Sequence, residues 1–478
     1  MINDSEHFYR FRSTHALLDG WQELEKQEIY FASPNELNDP MEGFKDIFWS
    51  GDAIIWRNLI RHYLLCFTRK VMLILLMGEA YHPDYANNII FSSSTNHPSV
   101  EFKNTFDEIC KLFFDSEIDK MPSLLSISEH PVRREEIKFY LRGMHGAATN
   151  CIFSVFATKG LVTASVDKFN PNTLIGGQTI NGLFRVIQES IRCHGDQERK
   201  SMNLLFEAAD HINRAFVSSR YFTATNVRDQ IWHTEIADFP AEYVESLEKI
   251  LFCEWYAACF VSNPNHAAMW GNYGDGHKGA CLKFSNKLSN GQPGLKMNRI
   301  TGWGSNGQET IKHYGEVFHD FLKINYVDRF AEIDFFRSIG RISVMALNAD
   351  WYNGQDGKRS SCSDSTFRNI EEGRLEYWKR FQSILATKLS DWQHENEYRL
   401  VLYSSLGGFE DPSDRKLTYQ FSDLTGIIFG IKTPVLEKKR IVDIIRRKCV
   451  ETGRQDFEFF QAYYSAENGK ICNIKQSF

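Results

Sequence analysis

The fold of this chain turns on Trp392-Gln-His-Glu395-Asn-Glu397-Tyr-Arg399-Leu-Val-Leu-Tyr403, a stretch near the C-terminal end. From Glu397 to Tyr403 polar and large apolar residues roughly alternate, with Tyr, Val and Leu dominant, which predicts a half-buried β-strand. Side chains on a strand alternate, so Glu395, Glu397 and Arg399 are expected on one face. Two carboxylates that close should raise the pKa of one, while the guanidinium keeps the other ionised. The competing structural reading is an edge strand with a solvated salt-bridge ladder.

Bulk composition sets the frame around that strand. A chain of 478 residues can hold two to three domains. With 42% hydrophobic and 14% aromatic residues it can bury a sizeable core, which excludes wholesale disorder. The net charge of −6 excludes a global nucleic-acid-binding field. Ten cysteines are scattered without a CxxC pair, so neither a zinc finger nor a disulfide scaffold is expected. The opening residues carry no apolar signal-peptide core, and the longest greasy run, Val71–Met77, is far too short for a bilayer. A cytoplasmic protein with no membrane association is the expectation.

Working outward, Phe8–Arg12 and Ile29–Ala32 read as strands, followed by a turn-rich Ser33–Glu42. Between about 51 and 250 apolar residues recur at helical spacing in Trp56–Phe67, Phe102–Phe114, Glu135–Met144, Gly182–Cys193, Met202–Phe216 and Ala241–Phe252. Breaks are expected at Asn170-Pro-Asn-Thr and His194-Gly-Asp. Strand character returns at Tyr256–Val261 and Gly279–Phe284, with a helix over His266–Tyr273 between them. Residues 285–312 and 353–366 read as loops, and a helix fits Leu375–Leu389. The expected fold class is α+β: a small mixed or antiparallel sheet core formed by the N- and C-terminal segments (1–50 and 251–478), with a large, mostly α-helical insertion (51–250).

Several segments, in order, resemble one bacterial family known as domain of unknown function 2971. They are Phe8-Tyr-Arg-Phe-Arg-Ser13, Ile29-Tyr-Phe-Ala-Ser-Pro, Leu37-Asn-Asp-Pro-Met-Glu42 and Cys259-Phe-Val-Ser262. Next come Met269-Trp-Gly-Asn-Tyr273, His277 to Phe284, Tyr326, Lys388 through Arg399, and Ile427-Ile-Phe-Gly430. Residues 51–250 look like an enlargement that this pattern does not contain. More remotely, the same pieces are similar to ADP-ribosyltransferase-type domains. That likeness implies a basic or hydroxyl residue on a first strand, an aromatic or serine in a middle motif, and a glutamate on a late strand. Arg10, or Arg12 with Ser13, takes the first position, although similar patterns carry His there. Tyr273, Ser262 or Tyr30 takes the second, and Glu397 the third.

The chemistry so implied is cleavage of the nicotinamide–ribose bond of NAD through an oxocarbenium-like state. Glu397 would stabilise the developing charge, a guanidinium would bind the diphosphate, and an aromatic face would stack on nicotinamide. Arg10, Tyr273 and Glu397 are therefore the catalytic candidates. The binding candidates are Arg12, Ser13, Tyr30, Asn38, Asp39, Ser262, Trp270, His277, Glu395 and Arg399. NAD is expected as substrate, with no metal.

Each motif also has a structural reading. Asn38-Asp39-Pro40 with Glu42 is equally a plain turn. Met269, Trp270 and Tyr273 are equally helix core, and His277 in its Gly-bearing turn is exposed or site-lining. No P-loop, GxGxxG, GxSxG or HExxH motif occurs.

The leading expectation is an NAD-consuming or ADP-ribosyltransferase-like effector or toxin of a bacterial defence or toxin–antitoxin system. Its partners would be a nucleotide-type small molecule, a protein or nucleic-acid target, and a partner protein from the same operon. One alternative is a metal-dependent nuclease, because Asp391…Glu397-Tyr-Arg399 superficially resembles a D…ExK core. The other is a non-catalytic nucleotide-binding or scaffold protein.

Overall fold

A computed structural model describes residues 7–128, 130–162, 177–289, 291–305, 307, 309–364, 370–404 and 408–477. The expected break at Asn170-Pro-Asn-Thr lies outside them. The chain is an α+β protein and divides into two compact units. The first comprises Met1–Phe44, Cys253–Phe330 and Gln382–Phe478; the second comprises Lys45–Phe252 and Ala331–Phe381. Residues Ala331–Phe381 had been expected in the sheet-bearing core. They fall instead in the helical unit, where Glu332–Asp334 pairs in parallel with Asp46–Trp49.

The first unit is built on an eight-stranded sheet. Its strands are β1 (His7–Arg12), β2 (Trp255–Val261), β3 (Ala280–Ser285), β4 (Leu322–Lys323), β5 (Glu397–Tyr403), β6 (Leu424–Phe429), β7 (Glu458–Ser465) and β8 (Lys470–Gln476). They are ordered β4-β5-β2-β1-β3-β6-β7-β8, and all neighbours are antiparallel except β6 and β7.

Strand β5 is not a half-exposed edge. It pairs with β2 along its whole length, from Glu397 opposite Val261 to Tyr403 opposite Trp255. Tyr398, Leu400 and Leu402 enter the main core with Phe8, Phe260, Leu282 and Ile427, so alternation sends Glu397 and Arg399 to the other face. On that other side of the sheet Phe11, Val261, Met269, Trp270 and Cys281 form a smaller cluster.

Strand β1 pairs with β3 over six residues but with β2 only at Tyr9 opposite Val261. Beyond that pair the two strands part. Ala32, from the segment after Glu28–Tyr30, occupies the vacated edge of β2 through two backbone hydrogen bonds with Ala257, of 2.8 and 2.9 Å.

Three local expectations are corrected. The Gly- and Ser-rich stretch 285–312 is largely a long hairpin of Gln292–Ser305 with Thr310–Asp320, because Leu295 and Met297 alternate into the core and Ile300 joins them there. Its glycines permit close approach: a Cβ on Gly294 would sit 2.2 Å from the His319 carbonyl oxygen. The helix expected to Leu389 ends at Leu385, and Thr387–Leu389 pairs in parallel with Asn325–Val327. In the second unit the break expected at His194-Gly-Asp is absent. Gly177–Thr223 is one helix, since amphipathic spacing on both sides of the glycine outweighs its cost of ~1 kcal/mol.

The other long helices of the second unit are Ala53–Met77, Val100–Phe114 and Arg134–Thr158. Asp52 caps the first by accepting from the amides of Ile54 and Ile55. No helix among the described residues is long and apolar enough to cross a membrane.

Candidate functional site

A cavity of about 630 Å³ lies in the first unit where β1 and β2 part, a volume within the range usual for small-molecule sites. Arg10, Tyr273 and Glu397 all line it, together with Arg12, Tyr30, Asn38, Glu395 and Arg399. Sequence reasoning had not assigned a site role to Trp21, Glu36, Glu42 or Lys388, which line it as well.

One wall is a continuous network of buried polar groups. Arg399, with a side chain 0% exposed, makes paired bonds to two carboxylates. It donates to Glu42 at 2.7 and 2.8 Å and to Glu397 at 2.6 and 3.2 Å. Lys388 donates to Glu397 at 3.3 Å and to Glu395 at 2.7 Å. Glu395 also accepts the phenol hydrogen of Tyr273, whose oxygen accepts from the Asn38 amide at 2.7 Å. Three carboxylates thus face two cations.

Local sequence explains how these side chains meet. Glu395 ends a 3₁₀ turn, Ser390–Glu395, rather than lying on the strand, and Asn396 follows at φ 48°. Asparagine tolerates this left-handed conformation, so the chain reverses between the two acids and both reach Lys388. Glu42 is aimed by its own turn. Asp39 accepts from the Met41 amide at 2.9 Å through its side chain and from the Glu42 amide at 3.0 Å through its carbonyl. The turn reading of Asn38-Asp39-Pro40 therefore holds, and its role in the fold is to deliver Glu42.

Of the acids on this network, Glu397 is the one that the guanidinium keeps ionised. Burial alone would raise the Glu397 carboxyl, but the charge and hydrogen bonds of Arg399, with Lys388, hold it down at about 2. Burial pushes the Tyr273 phenol well above its usual range, and Glu395 reinforces this, so Tyr273 is a hydrogen-bond donor and not a phenolate.

Arg10 lines the cavity as well and is only 8% exposed. By strand alternation it belongs to the opposite sheet face from Tyr9, yet it reaches the cavity through the gap left by the parting strands. Its guanidinium spans that gap, donating to the carbonyls of Cys259 at 3.4 Å and Tyr30 at 3.3 Å. Its Nε has no partner, and no carboxylate among the described residues lies within ion-pair distance. Burial lowers its pKa to about 10, so it remains a cation at neutral pH.

Five candidate residues are not brought to the cavity. Ser13 caps the first turn by accepting from the Ala16 amide at 3.2 Å. Asp39 is consumed by the turn just described. Ser262 lies in a bend past the end of β2. Trp270 is core: it is 0% exposed, donates to the Pro264 carbonyl at 2.8 Å and packs edge-on against Phe11. His277 sits in a turn at φ 70°, its backbone bonded to Trp270 and Lys432. Asp391, which a nuclease core would require, is exposed and outside the cavity. Among the described residues no group of three or more His, Cys, Asp or Glu is placed to hold a metal ion.

The model of a family described as "Protein of unknown function (DUF2971)" matches residues 269–400. That match runs from the helix carrying Tyr273 to the first residues of β5, so it includes Lys388, Glu395, Glu397 and Arg399 but neither Arg10 nor Glu42. No curated protein and no solved structure matches the chain, so the remoter likeness to ADP-ribosyltransferase folds has no support from either.

Proposed function

We propose that this cavity binds a nucleotide-type small molecule and breaks the nicotinamide–ribose bond of NAD, making the chain an NAD-consuming or ADP-ribosyltransferase-like enzyme. One observation carries the reading: a buried guanidinium with no carboxylate partner among the described residues lines the same cavity as a carboxylate-rich network. NAD offers the complement, a diphosphate joined to a ribose that bears a cationic ring.

When the C1′–N bond breaks, its electron pair leaves with neutral nicotinamide, and the ribosyl centre becomes positively charged. A network with one carboxylate more than its cations stabilises that charge. Glu397, ionised throughout the neutral range, acts electrostatically and not as a proton carrier. Tyr273 orients Glu395 and offers a hydroxyl to the ribose. Water, or a nucleophile on an acceptor, then bonds to C1′ and releases a proton. As a toxin or defence effector, such an enzyme would act by draining NAD or by modifying a target.

The test is to incubate the purified chain with NAD and separate the products. Wild type should release nicotinamide, and Tyr273→Phe and Arg10→Gln should each lose most of that release while keeping the wild-type circular dichroism. The reading fails if wild type releases no nicotinamide and labels no acceptor. Binding of NAD without turnover would leave the non-catalytic binding protein in its place. Glu397→Gln is a poorer probe, because it also unbalances the buried Arg399.

A further inference from the structure

Trp21 stands at the lip of the cavity, 43% exposed. Single exposed aromatic residues are ordinary, but this one is fixed on both flanks. The Arg12 guanidinium lies over the indole, 5.1 Å from its centre, and is itself held by Glu23, which accepts from Arg12 Nε at 2.8 Å. The Tyr30 ring meets the indole edge-on at 5.3 Å.

The backbone contributes as well. Trp21 closes the turn Ala16–Gly20, and Gln22 follows in the left-handed region at φ 57°, a conformation that a non-glycine side chain adopts at a cost. A pinned indole beside a nucleotide-sized cavity is a preorganised surface for a flat ring. Two cations line the same cavity: Lys416, directly opposite Tyr30 on the neighbouring strand, and Arg10.

We infer that Trp21 is the platform on which the base of the nucleotide stacks, adenine in the case of NAD, with the attached phosphates running inward past Lys416 to Arg10. This rests on the reading of the cavity as a nucleotide site. It assigns the end of the ligand remote from the cleaved bond, and it predicts a preference for ligands that carry a base over those that carry only sugar and phosphate.

The experiment is calorimetric titration of the full chain with ADP-ribose, which keeps the base and diphosphate and cannot undergo the reaction. Trp21→Ala should weaken binding about tenfold or more, the size of a lost base–aromatic stack, and Trp21→Phe should restore most of it. Trp303→Ala is the control, since Trp303 is similarly exposed at 40% but lies outside the cavity; it should bind as wild type does. Urea midpoints equal to wild type show that each variant is folded.

The inference is overturned if wild type binds no ADP-ribose, if Trp21→Ala binds it as tightly as wild type, or if Trp303→Ala loses as much. Stacking that depends on Trp21 in a chain that never releases nicotinamide would uphold the platform and sink only the proposed reaction.

Discussion

Each unit holds a buried lysine between two glutamates, Lys70 in the second and Lys388 in the first, and these two trios come out with opposite electrostatics. In the second unit Lys70, 0% exposed, pairs with Glu235 at 2.7 Å and with Glu242. Burial raises the Glu242 carboxyl despite the lysine. In the first unit Lys388 pairs with Glu395 and Glu397, burial acts in the same sense, and yet Glu397 ends at about 2. The difference is Arg399, whose paired hydrogen bonds to Glu397 overcome the desolvation that Lys70 alone leaves in place. A lysine–glutamate cluster is therefore not by itself a sign of a site. An acid made permanently anionic by a second cation, and opening on a cavity, is a stronger one.

Removing that second cation should have the largest effect. Arg399→Met leaves Glu42 and Glu397 buried with Lys388 as the nearest cation, and should cost about 3–5 kcal/mol in urea unfolding. Lys70→Met should cost less, ~1–3 kcal/mol, because the Glu242 side chain is 42% exposed and water takes over part of the lost pairing. Equal costs would erase the contrast between the trios.

The pH dependence sharpens it next. Glu397 has a folded pKa below its usual 4.5, so its contribution, ~3 kcal/mol, is present above that value and lost as pH falls toward about 2. Glu242 is shifted upward, so its contribution is present in acid and fades as pH rises through the folded pKa. Glu397→Gln should flatten the acid limb of the stability curve between pH 4.5 and 2, and Glu242→Gln should alter the curve above that window. Matching limbs in the two variants would contradict the assignment.

Within the cavity Tyr273 and Arg10 should separate stability from function. Tyr273→Phe removes one donor from Glu395 and should cost ~1–2 kcal/mol, visible as a lower urea midpoint. Arg10→Met breaks no ion pair but leaves the Cys259 and Tyr30 carbonyls without this donor; both bonds are long, so it should have the smallest effect, about 1 kcal/mol in urea unfolding. That same variant should weaken ADP-ribose binding tenfold or more, and a large stability loss with intact binding would make Arg10 structural.

Much of the fold was legible because periodicity is local. The strands at Phe8–Arg12 and Tyr256–Val261 and the amphipathic helices announced themselves in short windows. What misled was glycine and polarity at 285–312, where side chains on one face of a hairpin enter the core and the rest stay wet. The pairing partners of β5 were equally invisible, so an edge position stayed open for a strand that pairs along its whole length with β2 and at two residues with β4.

At the site, the residue types drew the eye to Glu397, Arg399, Tyr273 and Arg10, and all four border one cavity. Glu42 is separated from Arg399 by 357 positions, and nothing within a sequence window marks its turn as a delivery device. Lys388 carries no signal of its own in the sequence, because a lysine at a helix-to-strand junction is commonplace until its two acids are seen.

The parting of β1 from β2 has one more consequence. A sheet normally zips itself shut, since every open ladder position leaves two peptide groups wanting partners. Here the guanidinium of Arg10 acts as a wedge, satisfying Cys259 and Tyr30 from the side and holding open the seam in which the cavity forms. The hollow is thus a suspended strand pairing, and the side chain that offers charge to a ligand is also the strut that keeps room for it.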